Sequence, residues 1–291
     1  MAITASMVKE LRERTGAGIM DVKNALVEAG GDLDVAAENL RKSGQAKADK
    51  KSSRVAADGR VVIKSGGGKA VVVEVNSETD FVANDDNFIQ FADAVADAAL
   101  ASTQADATTV LNLKLTGGRT VDEARTELVA KVGENISVRR IANVDVTGPL
   151  GIYSHGARIG SLVVLDGGDE DLARDIAMHV AATNPACVDE TGVDPETLQS
   201  ERRIFQEQAE ASGKPAEIVG KMVDGRVQKF LKEITLVGQP FVKDDSMTVG
   251  QLLKSKGARV ISFVRFEVGE GIEKKADNFV EEVMAQVKGA K

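Results

Sequence analysis

The spacing of apolar and polar positions divides the chain into stretches of helical period and short β-branched runs. Val8 and Leu11, then Val22, Ala25, Leu26 and Ala29, then Leu33, Ala36, Ala37 and Leu40 recur at helical intervals, so three short helices are expected within residues 4–43. RTGAG breaks the first, Gly30 and Gly31 end the second, and Asp32 or Asp34 can cap the third. SGQAKADKKSSRVAADG, poor in large apolar residues, reads as a solvated linker. GRVVIKS and KAVVVEV, joined by Gly66-Gly67-Gly68, read as a β-hairpin. A helix from Asn87 follows, with Phe88, Phe91, Ala92, Val95 and Ala99 on one face.

Helix VDEARTELVAKVG and strand NISVRRIANVDV complete this block, and from Gly148 the plan repeats. Strands around IYSHG and ARIGSLVVLDG precede a helix carrying Leu172, Ile176 and Val180. From Asp194 the pattern changes. Pro195 starts a helix with a narrow stripe of Leu198, Phe205 and Ala209, Gly213 ends it, and Pro215 opens a second with Val219, Met222, Val223, Val227, Phe230 and Ile234. Joined by SGK, the two make an antiparallel hairpin that is expected to project from the core. LVGQPFV, helix VGQLLKSKG and strand ARVISFVRFEV return to the second block, and IEKKADNFVEEVMAQVKG reads as a last amphipathic helix.

With 291 residues the chain suggests two or three units, and with no Trp and one Tyr among 43% hydrophobic residues their cores are aliphatic. A net charge of −8 argues against binding nucleic acid by general electrostatics. Cys187 stands alone, so no disulfide forms within the chain, in keeping with a reducing compartment. Neither a signal-peptide core at the start nor a membrane-length apolar run occurs, and a cytoplasmic protein without membrane contact is expected.

Candidate chemistry centres on the polar loop SETDFVANDDN, where one large apolar residue, Phe81, stands among Glu78, Thr79, Asp80, Asn84, Asp85 and Asp86. Phe81 could close over its own core as a lid or be carried for a partner. The acids could bind a hard cation, but they lack the spacing and Gly turn of a calcium loop, and helix capping is the better reading. GGGK is not a phosphate loop, because Ile63 and Ala70 stand where Gly and Ser or Thr are needed and a strand follows. His179 falls on an apolar face with Ile176 and Leu172 and reads as a satisfied core histidine rather than a metal ligand. No GxSxG, HExxH or paired-Cys motif occurs, so neither catalysis by the chain's own side chains nor a cofactor or metal site is expected.

TDFV following VEVNSE and preceding FIQFADAVADAA resembles the bacterial elongation factor Ts family. So do LRERTGAGIMDVKNAL, KVGENISVRR, YSHGARIG, GKPAEIVGKMVDGR, LVGQPFV and FVRFEVGEGIEK, in the family's order across essentially the whole chain. The resemblance implies an exchange factor for the translational GTPase elongation factor Tu, with Thr79, Asp80, Phe81 and Val82 dislodging magnesium from that partner. It assigns partner contacts to Arg12, Ile19, Met20 and Lys23, to Val132 and Gly133, to His155 and to Val242, while Lys243 departs from relatives that are apolar there. Spacing alone leaves Met20 equally a core residue. The expected fold class is α+β. It comprises a ubiquitin-associated (UBA-like) three-helix module with linker (1–53), related core subdomains N (54–146) and C (147–190 and 235–270), an antiparallel coiled-coil hairpin (191–234) and a C-terminal helical module (271–291).

Overall fold

The structure, a computed structural model, describes residues 3–102 and 105–273. Thr4 caps α1 (Ala5–Thr15) by accepting the Met7 N–H, and Gly16, at φ +67°, turns its own N–H back to Arg12 O. α2 (Ile19–Glu28) and α3 (Leu33–Lys51) follow, and Leu11, Val22, Ala25, Leu26 and Ala36 form a small core among the three helices. The third helix is longer than expected. It runs through most of the stretch read as a linker, leaving only residues 52–57 as connection. Small residues mark this face. Ala48 is buried beside α6, described below, and a Cβ on Gly44 would meet Ala130 at 3.6 Å, so a lack of bulk lets two helices approach.

β1 (Asp58–Gly66) and β2 (Lys69–Ser77) form the expected hairpin. Gly67 and Gly68, at φ +61° and +76°, both take the left-handed conformation that a two-residue turn of this hand demands. Next come a single helical turn, α4 (Asp80–Ala83), then α5 (Asp86–Ala101) and α6 (Val121–Val132). β3 (Ser137–Asp145) then pairs along the free edge of β2. Val71, Val73 and Val75 pack against Phe88, Phe91, Val95 and Val129.

The second block is built the same way. β4 (Leu150–His155) and β5 (Ile159–Asp166) form a hairpin, α7 (Glu170–Thr183) packs on it, and a later strand pairs with the free edge of β5. Between them stand α8 (Pro195–Glu210) and α9 (Ala216–Ile234), a helical hairpin with its own cluster of Ala209, Val219, Val223, Val227 and Leu231. Phe205 and Phe230 meet edge to face at 6.3 Å. A small ribbon of β6 (Pro240–Phe241) and β7 (Asp244–Thr248) precedes α10 (Val249–Ser255) and the closing strand β8 (Arg259–Glu267). Two residues are too few for β6 to show any period.

The fold is thus mixed helix and antiparallel sheet. The two sheets meet through Val61, Ala70 and Val72 on one and Leu162 and Val164 on the other, with Val268. The fully buried Glu74 ties them further. It accepts from Arg139, Arg140, Asn76 and the Gly269 N–H, while Arg140 also lies 4.3 Å over the Phe266 ring. The last expected helix falls, from residue 274 onward, outside the described residues.

Candidate functional site

Thr79 leaves β2 in extended conformation and caps α4, its hydroxyl oxygen accepting the Val82 N–H at 3.4 Å. The turn is closed by Asn84, whose side chain donates to Asp80 O at 2.8 Å, and is tied inward by Arg60, which donates to Ala83 O at 3.1 Å. Ala83 is buried, Val82 packs on the first core, and Phe81 is 84% exposed. The lid reading is therefore wrong for the free chain. What sequence showed as a loop is a helical turn whose inner face is Val82 and Ala83, which leaves the ring at position 81 pointing to solvent.

Two of the acids around the turn, Asp85 and Glu78, hold structure. Asp85 caps α5, and the Asn87 side-chain amide and backbone N–H keep its carboxyl below the ordinary carboxylate range. Glu78 accepts the Asn135 N–H at 2.6 Å and pairs with Arg54 at 3.5 Å. Among the described residues no group of three or more His, Cys, Asp or Glu could hold a metal ion.

α6 ends at Gly133, whose φ of +82° is open to glycine at little cost, and the chain turns so that residues 134 and 135 face the Thr79 turn. Glu134 accepts the Thr79 N–H at 3.0 Å with one carboxylate oxygen and the Thr79 O–H at 2.6 Å with the other. With Glu78 on Asn135 this makes a reciprocal pair of carboxylate clamps between the two segments. The Asn135 amide also donates to Arg54 O at 2.8 Å, which ties in the chain leaving α3. Val132 packs partly on the first core.

The N-terminal candidates lie beside this region. Lys131 donates to Asn87 at 2.6 Å and lines one shallow cleft with Val8, Arg12, Gly16 and Ile19. Arg12 and Lys23 are exposed, and so are Ile19 at 53% and Met20 at 65%. Met20 is not core, because Val22, Ala25 and Leu26 fill that side of α2 and leave its first turn outward.

His155 is exposed at the end of β4, with Tyr153 Oη 3.3 Å from its Nδ1. The turn after it reaches the first sheet, since Ala157 O accepts the Val61 N–H at 2.9 Å and Arg158 pairs with Asp58 at 2.6 Å. Asp58 lies opposite Ser77, so this turn abuts the end of β2 from which Thr79 departs. Val242, 48% exposed, is held by a separate set of contacts. Its N–H donates to Nδ1 of the fully buried His179 at 3.1 Å, leaving Nε2–H to donate to Gln239 at 3.0 Å, and Phe241 lies against the ring. His179 is the satisfied core histidine expected, and burial pushes its pKa down from the ordinary value. Lys243 finds its own use in an ion pair with Asp175.

Residues 78–270, from the clamp carboxylate Glu78 to three residues past the end of β8, match the family described as Elongation factor TS. The chain belongs to the elongation factor Ts family. Elongation factor Ts of Methylococcus capsulatus is 59% identical over 293 residues, covering 100% of both chains. That of Thioalkalivibrio sulfidiphilus is 58% identical over 294 residues with the same coverage, and that of Legionella pneumophila (strain Paris) 56% over 288, covering 98% of this chain and 99% of the relative. No helix among the described residues is long and apolar enough to cross a membrane.

Sequence reasoning missed the partners that hold the family's TDFV segment in place. Glu78 and Glu134 both lie inside stretches that carry the resemblance, but nothing in the sequence shows that Glu134 meets Thr79, 55 positions away, or that Glu78 meets Asn135, 57 away. The tie between His179 and Val242, 63 apart, was equally hidden.

Proposed function

We propose that this chain is the guanine nucleotide exchange factor of translation elongation, binding elongation factor Tu with GDP and promoting GDP release so that GTP can load. The observation that carries the reading is a bulky apolar ring, Phe81, presented to solvent on a capped and clamped turn in a member of this family. A GTPase holds its nucleotide through phosphate-loop backbone groups and a magnesium ion on the β-phosphate, so displacing the metal or turning that backbone loosens both. In this reading Phe81 wedges behind the partner's magnesium site while Thr79, Asp80 and Val82 engage the elements beside it.

One ring is not sufficient. Burying a Phe supplies roughly 1.5–3 kcal/mol, one to two decades of nucleotide affinity at about 1.4 kcal/mol each. The remainder comes from a wide interface, to which Arg12, Ile19, Met20, Lys23, Val132, Gly133, His155 and Val242 contribute. The three N-terminal helices serve as a UBA-like binding module (1–53) and the α8–α9 hairpin as a coiled-coil arm (191–234), set on the two core subdomains. By linkage, GDP or GTP weakens the grip on elongation factor Tu as much as the chain weakens nucleotide binding, so the complex dissociates after each exchange. The chain acts in the cytoplasm without direct contact to nucleic acid and without a catalytic constellation of its own. Release of fluorescent GDP from purified elongation factor Tu tests this. Acceleration by catalytic amounts of the chain is expected, whereas an adaptor that merely holds proteins together leaves the rate unaltered.

A further inference from the structure

Phe81 stands on a helix of four residues, Asp80–Ala83. A single turn does not hold itself together, because nucleating a helix fixes several residues for one hydrogen bond and carries a penalty factor on the order of 10⁻³. Its order comes from outside the turn. At the inner end Ala83 is buried and its carbonyl is held by Arg60. At the outer end both donors of the capping residue, the Thr79 N–H and O–H, end on the Glu134 carboxylate at 3.0 and 2.6 Å. With its proton committed there, the Thr79 hydroxyl turns a lone pair to the Val82 N–H, the bond that starts the turn. Glu134 is fixed in its own place, since it stands between the Gly133 helix cap and Asn135, whose N–H is held by Glu78 at 2.6 Å.

We infer that Glu134 is a positioning residue for exchange: it touches no nucleotide or metal, and it acts by holding the Thr79 cap so that the Phe81 ring is presented in one orientation before the partner arrives. This rests on the exchange reading above and deepens it, assigning to the loop after α6 the support of the wedge. Without Glu134 two donors lose their acceptor, the turn frays and the ring samples other directions. If the competent fraction falls to about one-tenth, apparent activity falls about tenfold.

The test is a double-mutant cycle on stimulated release of fluorescent GDP from elongation factor Tu, using the full chain, with thermal melting of each variant alongside. Glu134→Ala is expected to slow release about tenfold. In a Phe81→Ala background it is expected to add less than about twofold, because a group that acts only by aiming the ring has nothing left to aim. A carboxylate with a merely structural role, or one that acts through the Val132–Gly133 contact, gives losses that multiply, and that result overturns the proposal. If Glu134→Ala does not fold, Glu134→Gln, which keeps one acceptor oxygen, is put through the same cycle with a smaller expected loss and the same criterion. Slow release with Phe81→Ala but wild-type release with Glu134→Ala removes the positioning role and leaves the exchange reading standing. Unchanged release with Phe81→Ala removes the exchange reading of the ring, and this inference with it.

Discussion

Replacing Phe81 by Ala separates stability from function because the ring makes so little of its own fold. At 84% exposure it gives up almost no buried area in the free chain, and Ala is the better helix former for the α4 turn. A change within about 0.5 kcal/mol is expected, which for a chain of this length moves the melting midpoint by less than about 2 °C. In the complex the same truncation removes a side chain whose full burial is worth roughly 1.5–3 kcal/mol, so stimulated GDP release at fixed concentrations falls about 10- to 100-fold. Stopped-flow release of fluorescent GDP from elongation factor Tu, paired with a melting curve of the free variant, reads both numbers. A melting midpoint lowered by several degrees with an unchanged release rate would refute the reasoning, since it would place the ring in the core of its own molecule.

Three further expectations follow from the buried groups. Burial alone would raise the Glu74 pKa, but the Gly269 N–H, Arg140 and the Asn76 amide outweigh it and hold the carboxyl below its ordinary value of 4.5. Its contribution is therefore complete above about pH 4.5 and lost as the pH falls through the lower folded value, and Glu74→Gln should cost about 3 kcal/mol in denaturant unfolding at neutral pH and flatten that acid limb. Burial lowers the His179 pKa from 6.5, so the folded chain binds fewer protons than the unfolded one below that pH. Stability should start to decline as the pH drops below about 6.5, and His179→Gln should remove that part of the slope, as read by melting at a series of pH values. Gly151→Ala should destabilise by about 1–3 kcal/mol or more in the same unfolding assay, because a Cβ there would sit 2.0 Å from the Ala173 backbone carbon where β4 crosses α7.

Local patterns carried most of the architecture. The β1–β2 hairpin was legible because β-branched runs flank a glycine turn, and α8 and α9 were legible from their stripes and from Pro195, Gly213 and Pro215. Failures came where tertiary contact decides. Gly44 and Ala48 look like linker residues until α6 is seen against them, and then their smallness is the reason that α3 continues. The Thr79–Val82 segment looks like loop because four residues show no period, and its helical turn depends on Glu134 from a distant part of the chain. Met20 was ambiguous because spacing places it beside Val22 without saying which flank of α2 is covered. The site's residue types were thus visible in sequence, while the bonds that aim them were not.

The central claim is that the side chain at position 81 passes from water into the partner. A fluorinated phenylalanine at that position reports it directly, through the difference in ¹⁹F shift between light and heavy water. A large solvent isotope shift is expected in the free chain and its near disappearance in the nucleotide-free complex with elongation factor Tu. A ring that stays equally open to solvent in that complex would contradict the account.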